Sequence, residues 1–328
     1  MTAWDAPVLV TGAAGFAGSH LLDLLESGDR PIVAWRRPGE PLPAPPTGAR
    51  CRWMELDVLD EGAVRRAVLE IRPALVYHLA GIAHAGGSWG RTYKTLEVNV
   101  LGTHHLLAAL AAIGRPRKIL VSGSALVYRE QARAVAESDP VGPGSPYGLS
   151  KLAQEMTGAH AVLEQGLPVV LTRSFNHIGP RQAPSFFASS VARQIARVEH
   201  GLAEPVLEVG NLEGRRDLTD VRDTVQAYQA IAERGVPGRV YNVCSGQAYR
   251  IGDILDALLS RASTPIAVRP DPARYRPHDA PLVVGDRSRL TDELGWTPRI
   301  PIEQTLTDLL DHWRRVVGAG DATIEPGP

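Results

Sequence analysis

The sequence predicts an α/β fold, a doubly wound parallel sheet with a smaller, discontinuous C-terminal domain. Three observations predict it. Short β-branched or aliphatic runs alternate with helical patterns through the first half, as parallel strands joined by crossover helices require. A glycine-rich turn, Gly12 to Gly18, joins the first run directly to the first helix. After Arg173 the alternation gives way to shorter, mixed elements separated by loops.

Taken in order, the strands of the first half fall at Val8–Thr11, Ile32–Trp35, Arg52–Leu56, Leu75–Leu79, Ile119–Ser122 and Val169–Arg173. The helix Phe16–Ser27 carries Leu21, Leu24 and Leu25 at helical spacing and stops at Gly28, a residue suited to a left-handed cap. Thr92–Ile113 repeats apolar residues at Leu96, Val100, Leu107 and Leu110, and Ser145–Gln165 forms a helix starting around Pro146. Beyond Arg173 come a helix from Ser185 to His200, a strand at Val206–Val209, a helix from Asp220 to Arg234 and a strand at Val240–Val243. Asp220 can cap its helix, and Asp223 suits the positive end. Helices at Ile251–Ser260, Ser288–Leu294 and Ile302–Val317 surround a Pro/Arg-rich loop, Arg269–Pro281, while Pro38–Pro46 is a rigid surface loop.

Composition narrows the function classes. With 328 residues the chain suits about two domains, at roughly 100–200 residues each, or one large α/β unit with an elaboration. Against 36 Asp+Glu stand 35 Lys+Arg, a net charge of −1 that leaves no electrostatic footprint for nucleic acid or an anionic membrane. The longest uncharged stretch, Pro73 to Gly90, is interrupted by His78, His84 and glycines and is too short and polar to span a bilayer. No basic region or cleavage site precedes the first strand. Two cysteines, Cys51 and Cys244, exclude a disulfide framework and fit a reducing cytoplasm, and the histidines lack metal-ligand spacing, so no metal is expected.

The turn Gly12-Ala13-Ala14-Gly15-Phe16-Ala17-Gly18 lets the backbone approach a pyrophosphate seated on the N-terminus of the following helix, in a Rossmann-like arrangement. An acid at the end of the second strand would hold the ribose of NAD. Arg36 and Arg37 stand there instead, cations that suit a 2′-phosphate, so NADP(H) is favoured, with NAD as the alternative. Two solvated loop arginines are the plainer reading. Asp57-Val58, after the third strand, is placed either to touch the adenine edge or to make a turn.

Tyr147 and Lys151 lie four apart on one helical face, and a neighbouring cation lowers the pKa of a tyrosine. Ser124, just past the fifth strand, can donate to a carbonyl oxygen. Singly each is ordinary, but the ordered set of glycine turn, Ser124 and a Tyr-x-x-x-Lys 23 residues later is a far rarer coincidence. At TGAAGFAG, Asp57-Val58, HLAG at 78–81, Asn99, SGSALVY at 122–128 and YGLSK at 147–151 the chain resembles the extended short-chain dehydrogenase/reductase family, nucleotide-sugar branch. The resemblance implies that Tyr147 is the general acid/base, that Lys151 holds the nicotinamide ribose, that Ser124 polarises the carbonyl, and that Asn99 supports the helix or a water relay. It places Gly12, Gly15, Phe16, Gly18, Leu79 and Ala80 at the cofactor.

The second half resembles the group formed by the GDP-mannose 4,6-dehydratases and the GDP-4-keto-6-deoxymannose reductases. The matching segments are RSFNHIGP at 173–180, VGNLE at 209–213 followed by Arg216-Asp217, and Arg276-Pro277 followed by Asp279 and Gly285-Asp286. Asn176, Asn211, Arg216 and Arg276 are the implied substrate ligands, since a diphosphate needs fixed cations and amide donors. Arg193 is either a base contact or a solvated helix residue. Residues 1–175 and 214–245 are the expected dinucleotide-binding domain, and 176–213 and 246–328 the expected nucleotide-sugar domain.

The dehydratases of this group carry an acid two residues before the tyrosine of the serine segment, where this chain has Leu126. Leucine transfers no proton, so dehydration is disfavoured and reduction survives. Arg129, where a glycine usually follows that tyrosine, is a further departure. The expectation is an NADPH-dependent reduction of the C4 ketone of GDP-4-keto-6-deoxy-D-mannose to a GDP-6-deoxyhexose of the GDP-D-rhamnose type, another nucleoside diphosphate being the alternative carrier. A 4-epimerase with tightly held NAD is the second reading, from the epimerase-like SALVY segment, and a non-catalytic NADP-binding regulator the third. Two long helices, Thr92–Ile113 and Pro146–Gln165, suit the homodimer interface of the family.

Overall fold

The computed structural model describes residues 6–42, 50–83, 90–114, 116, 118–271, 275 and 280–320. The chain runs β1 (Val8–Thr11), α1 (Phe16–Glu26), β2 (Ile32–Arg36), β3 (Cys51–Glu55), α2 (Glu61–Ile71), β4 (Leu75–His78), α3 (Thr92–Leu96), α4 (Gly102–Ala112), β5 (Lys118–Ser124), α5 (Pro146–Gln165) and β6 (Val169–Ser174). It continues β7 (Asn176–Ile178), α6 (Phe187–Glu199), β8 (Val206–Val209), β9 (Arg215–Asp220), α7 (Val221–Arg234), β10 (Val240–Val243), β11 (Ala248–Arg250) and α8 (Ile251–Leu259). The described elements end with β12 (Ala267–Pro270), β13 (Leu282–Val283), α9 (Ser288–Leu294) and α10 (Ile302–Gly318).

Seven parallel strands form the large sheet in the order β10-β6-β5-β4-β1-β2-β3. The order reverses between β1 and β4, so the crevice at their carboxyl ends is the expected ligand position. One face is covered by α1, α7 and α9, through Leu21, Leu22, Val225, Ile231 and Leu290. The other is covered by α2, α4 and α5, through Val64, Val68, Leu106, Leu110 and Ala161. Strands in such a sheet are buried on both faces, which explains the unbroken apolar runs VLVT and IVAW.

Residues 215–220 pair with β7, β11 and β13 in a small sheet, so β9 lies outside the large sheet and the chain returns to it at α7. A second core, among α6, α8 and α10, holds Val191, Ile195, Leu255, Leu309 and Trp313.

The short strands β7, β9, β11, β12 and β13 have no counterpart in the sequence expectation, and two helical segments depart from it. Helix α2 was not singled out, although Val64, Ala67, Val68 and Ile71 bury one face and the Asp60 carboxylate caps its start by accepting the Ala63 amide at 2.8 Å. The single helix expected over Thr92–Ile113 is interrupted by a π-helical turn, Glu97–Leu101, which carries the fully buried Asn99. Such turns insert a residue and re-aim its side chain. Residues 43–46 of the proline-rich loop lie outside the described residues.

Candidate active site

The glycine turn is built for close approach. Gly12 has φ +66°, and a Cβ there would lie 2.6 Å from the Ala80 amide nitrogen and 2.8 Å from the Leu79 carbonyl carbon. The turn after β1 therefore touches the segment after β4 backbone to backbone. A Cβ on Gly18 would strike the Gly12 carbonyl, so α1 seats on the turn only with glycine there. Gly15 caps α1 without a side chain, which leaves the first-turn amides open to an anion. Phe16 stacks on His177 of β7, and His20 Nε2 lies 2.8 Å from the Pro180 carbonyl oxygen.

Arg36 ends β2 half-buried, paired with the Glu55 carboxylate of β3 and donating to the Glu40 carbonyl, while Arg37 is exposed. Asp57 makes a turn, its Oδ1 accepting the Leu59 amide at 3.0 Å. Val58 is buried against α4, where a Cβ on Gly102 would approach its Cγ2 to 2.7 Å.

Ser124, Tyr147 and Lys151 converge at the carboxyl end of β5. Helix α5 starts with Pro146 behind the Ser145 cap, whose Oγ accepts the Gly148 amide at 3.1 Å. Gly148 faces the Leu126 carbonyl so closely that any side chain would collide, and this contact brings the Tyr147 hydroxyl to Ser124. Burial pushes the Tyr147 pKa up to about 12, against the lowering effect of the Ser124 hydrogen bond. Lys151, 5% exposed, donates from Nζ to the Ser122 carbonyl at 2.9 Å and to Gln154 Oε1 at 2.7 Å, and burial pulls its pKa down to about 8. Two of its three N–H donors are thus engaged by protein.

Asn99 binds the segment after β4 to α5. Its Oδ1 accepts the Ile82 amide at 2.8 Å, its Nδ2 donates to Ser150 Oγ at 2.9 Å, and Ser150 donates to the Tyr147 carbonyl at 2.7 Å. Gly81 lies between them: a Cβ there would be 2.7 Å from Asn99 Oδ1 and 3.6 Å from Lys151 Nζ. Gln154 Nε2 donates in turn to Thr103 Oγ1 at 2.8 Å, and sequence reasoning missed both residues. The only signal for Gln154 is its place one turn after Lys151 on the same face.

On the substrate side, Asn176 is exposed on β7 opposite Leu218 of β9, two residues beyond Arg216. Asn211 Oδ1 accepts the Glu213 amide at 2.9 Å, shaping the approach to β9. Asp217 is 1% exposed and accepts from Ser245 N and Oγ, Gly246 N and Gly285 N, which pins two loops beside Arg216. Arg193 lies over the Trp313 ring at 5.7 Å, within the α6–α10 packing. Arg276, with Pro277 and Asp279, lies outside the described residues. Leu126 is half-buried beside Ser124, and Arg129 is exposed. Among the described residues no group of three or more His, Cys, Asp or Glu side chains is placed to hold a metal ion, and no helix is long and apolar enough to cross a membrane.

Known proteins resemble the chain along most of its length. The family profile of GDP-mannose 4,6 dehydratase matches residues 9–309. A GDP-6-deoxy-D-mannose reductase of Pseudomonas aeruginosa is 37% identical over 309 residues, 93% of this chain and 96% of that protein. A human UDP-glucose 4-epimerase is 29% identical over 96% of this chain and 98% of its own length. Among solved structures, RMD from Pseudomonas aeruginosa complexed with NADPH superposes with a TM-score of 0.83 at 35% identity, covering 94% of this chain and 99% of that one. A putative epimerase from Burkholderia cenocepacia superposes with a TM-score of 0.84 at 32% identity, covering 94% and 98%.

Proposed function

Because the chain belongs to the GDP-mannose 4,6-dehydratase family, we propose that it is an NADPH-dependent reductase of GDP-4-keto-6-deoxy-D-mannose, yielding a GDP-6-deoxyhexose of the GDP-D-rhamnose type. One observation carries the choice of reaction. The Ser124–Tyr147 pair is intact beside a half-buried Leu126, at the position where dehydration needs an acid.

The residues present fit a nicotinamide dinucleotide: the Gly12 close approach, the uncapped start of α1 and the buried Lys151 ammonium lie round one crevice. Arg36 and Arg37 would hold the 2′-phosphate, Asp57 and Val58 would border the adenine, and Lys151 would hold the ribose. NADPH, when bound, supplies the hydride. Ser124 and Tyr147 would hydrogen-bond the C4 oxygen of the sugar, and the Tyr147 hydroxyl would pass its proton to that oxygen as it becomes an alcohol. Lys151 would ease this by stabilising the tyrosinate left behind, against the burial that raises the pKa of the free hydroxyl. Asn176, Asn211, Arg216 and Arg276 would hold the GDP part. In this reading the large sheet serves the dinucleotide and the small sheet with α6, α8 and α10 the sugar nucleotide.

Leu149, Met156 and Leu163 are exposed two turns apart along α5, with Tyr93 and Leu101 exposed nearby. This stripe supports a homodimer through the helices flanking the site. The two cysteines, both unpaired, support a cytoplasmic location.

The test is oxidation of NADPH by purified protein given the GDP-keto sugar, with dTDP- and UDP-keto sugars alongside. Absence of oxidation with both ligands bound overturns the reading. The epimerase reading rests on the SALVY segment and the epimerase relatives, and NAD retained through purification would favour it.

A further inference from the structure

The Lys151 ammonium is one end of a buried chain of hydrogen bonds in which every proton can be placed. Thr103 Oγ1 donates to the Asn99 carbonyl one turn back, at 2.7 Å. Its lone pairs therefore accept from its other two neighbours, His78 Nε2 and Gln154 Nε2, each at 2.8 Å. That makes His78 the Nε2–H tautomer, whose Nδ1 accepts the Thr11 hydroxyl at 2.8 Å, and burial keeps the ring neutral with a pKa of about 3. Thr11 Oγ1 accepts the Ala80 amide at 3.2 Å. With its NH2 group on Thr103, Gln154 must turn Oε1 to Lys151. The flipped amide would set N–H against ammonium and oxygen against a hydroxyl with no proton left to give. Gln154 is 0% exposed, so bulk solvent does not reach its amide.

We propose that Gln154 is a positioning residue that, with the Ser122 carbonyl, fixes two Lys151 N–H groups and leaves the third aimed at the cofactor ribose. The proposal rests on the reductase reading. A neutral amide is an acceptor strong enough to hold a buried ammonium in place. Losing it removes support for the charged form and lowers the Lys151 pKa further, whereas a carboxylate there raises it. The chain through Thr103 and His78 ties this setting to Thr11 and Ala80, where the strand order reverses.

NADPH binding, followed by quenching of tryptophan fluorescence from about pH 6 to about pH 10, tests this in wild type, Gln154→Met and Gln154→Glu. Binding should weaken as Lys151 loses its proton. The midpoint should move about one pH unit to the acid side in Gln154→Met and about one to the alkaline side in Gln154→Glu. A midpoint unmoved in either folded variant assigns Gln154 to packing alone and overturns the proposal, whatever happens to turnover. Should the methionine variant not fold, the near-isosteric glutamate variant carries the comparison. A wild-type curve without a midpoint in this range overturns the proposal without any variant. Binding is read without sugar, so lack of turnover on the keto sugar, which sinks the reductase reading, leaves this result standing.

Discussion

The Phe16 ring lies flat against the His177 imidazole, ring centres 5.6 Å apart and planes 11° apart. Phe16 opens the helix after the glycine turn, and His177 sits in the strand that carries Asn176, so the two halves of the site share one contact. Phe16→Ala should cost about 1–2 kcal/mol of stability, from the stacked pair and the void. It should also weaken NADPH and the sugar nucleotide together. Urea unfolding and separate binding titrations check this, and a loss confined to one ligand contradicts it.

Removing the Tyr147 hydroxyl should abolish proton transfer while leaving the dinucleotide crevice whole. Tyr147→Phe is expected to lower kcat by about 100-fold or more, with NADPH affinity within about threefold of wild type. Stopped-flow oxidation of bound NADPH reads the first quantity and fluorescence titration the second.

Arg36 is held against Glu55 and Arg37 reaches solvent, so both guanidinium groups stand at the end of β2. Replacing both by alanine should weaken NADPH by about 10- to 100-fold, the worth of charge-assisted hydrogen bonds, and change NADH affinity little. Parallel titrations of the two cofactors separate this from general damage.

His78 is fully buried, and its pKa is pulled from 6.5 to about 3 by burial and by the Lys151 charge. The unfolded chain takes up a proton near its ordinary pKa whereas the folded chain does not, so this contribution is complete above the ordinary value and lost as pH falls towards the folded one. By pH 4.5 the loss should be about 2–3 kcal/mol. His20 and His312, both held at about 4 chiefly by burial, add to the fall, so unfolding free energies should drop by more than this between neutral pH and that point, and His78→Asn should remove the His78 share.

Charge on the exposed stripe of α5 should split the proposed dimer. Met156→Glu with Leu163→Glu is expected to halve the mass seen by light scattering without lowering the melting temperature of the monomer fold. An unchanged mass places the interface elsewhere.

Much of this was legible in the sequence because it depends on local rules. The glycine turn needs Gly12 and Gly18 for steric reasons, and the spacing of Tyr147 and Lys151 is a property of any helix. Helix α2 is legible in the helical spacing of Val64, Ala67, Val68 and Ile71. The strand Arg215–Asp220 was not legible, since Arg215-Arg216-Asp217 has no strand pattern and the buried Asp217 is satisfied by donors from loops around 245 and 285. Gln154 reads as surface until the fold sets it between Thr103 and Lys151. The π turn that carries the buried Asn99 interrupts a continuous helical pattern of apolar residues, so the pattern alone does not show it.

One of the two edge strands of the large sheet, β10, pairs with β6 only after the chain has left to build β7, α6, β8 and β9. During synthesis the β6 edge therefore stays bare until about residue 243 has emerged, and a bare edge is where a nascent chain pairs wrongly. The two halves consequently share one folding history. A fragment cut at residue 175 would end on that unpaired edge, and expressing the cofactor half alone should give aggregate instead of a nucleotide-binding piece.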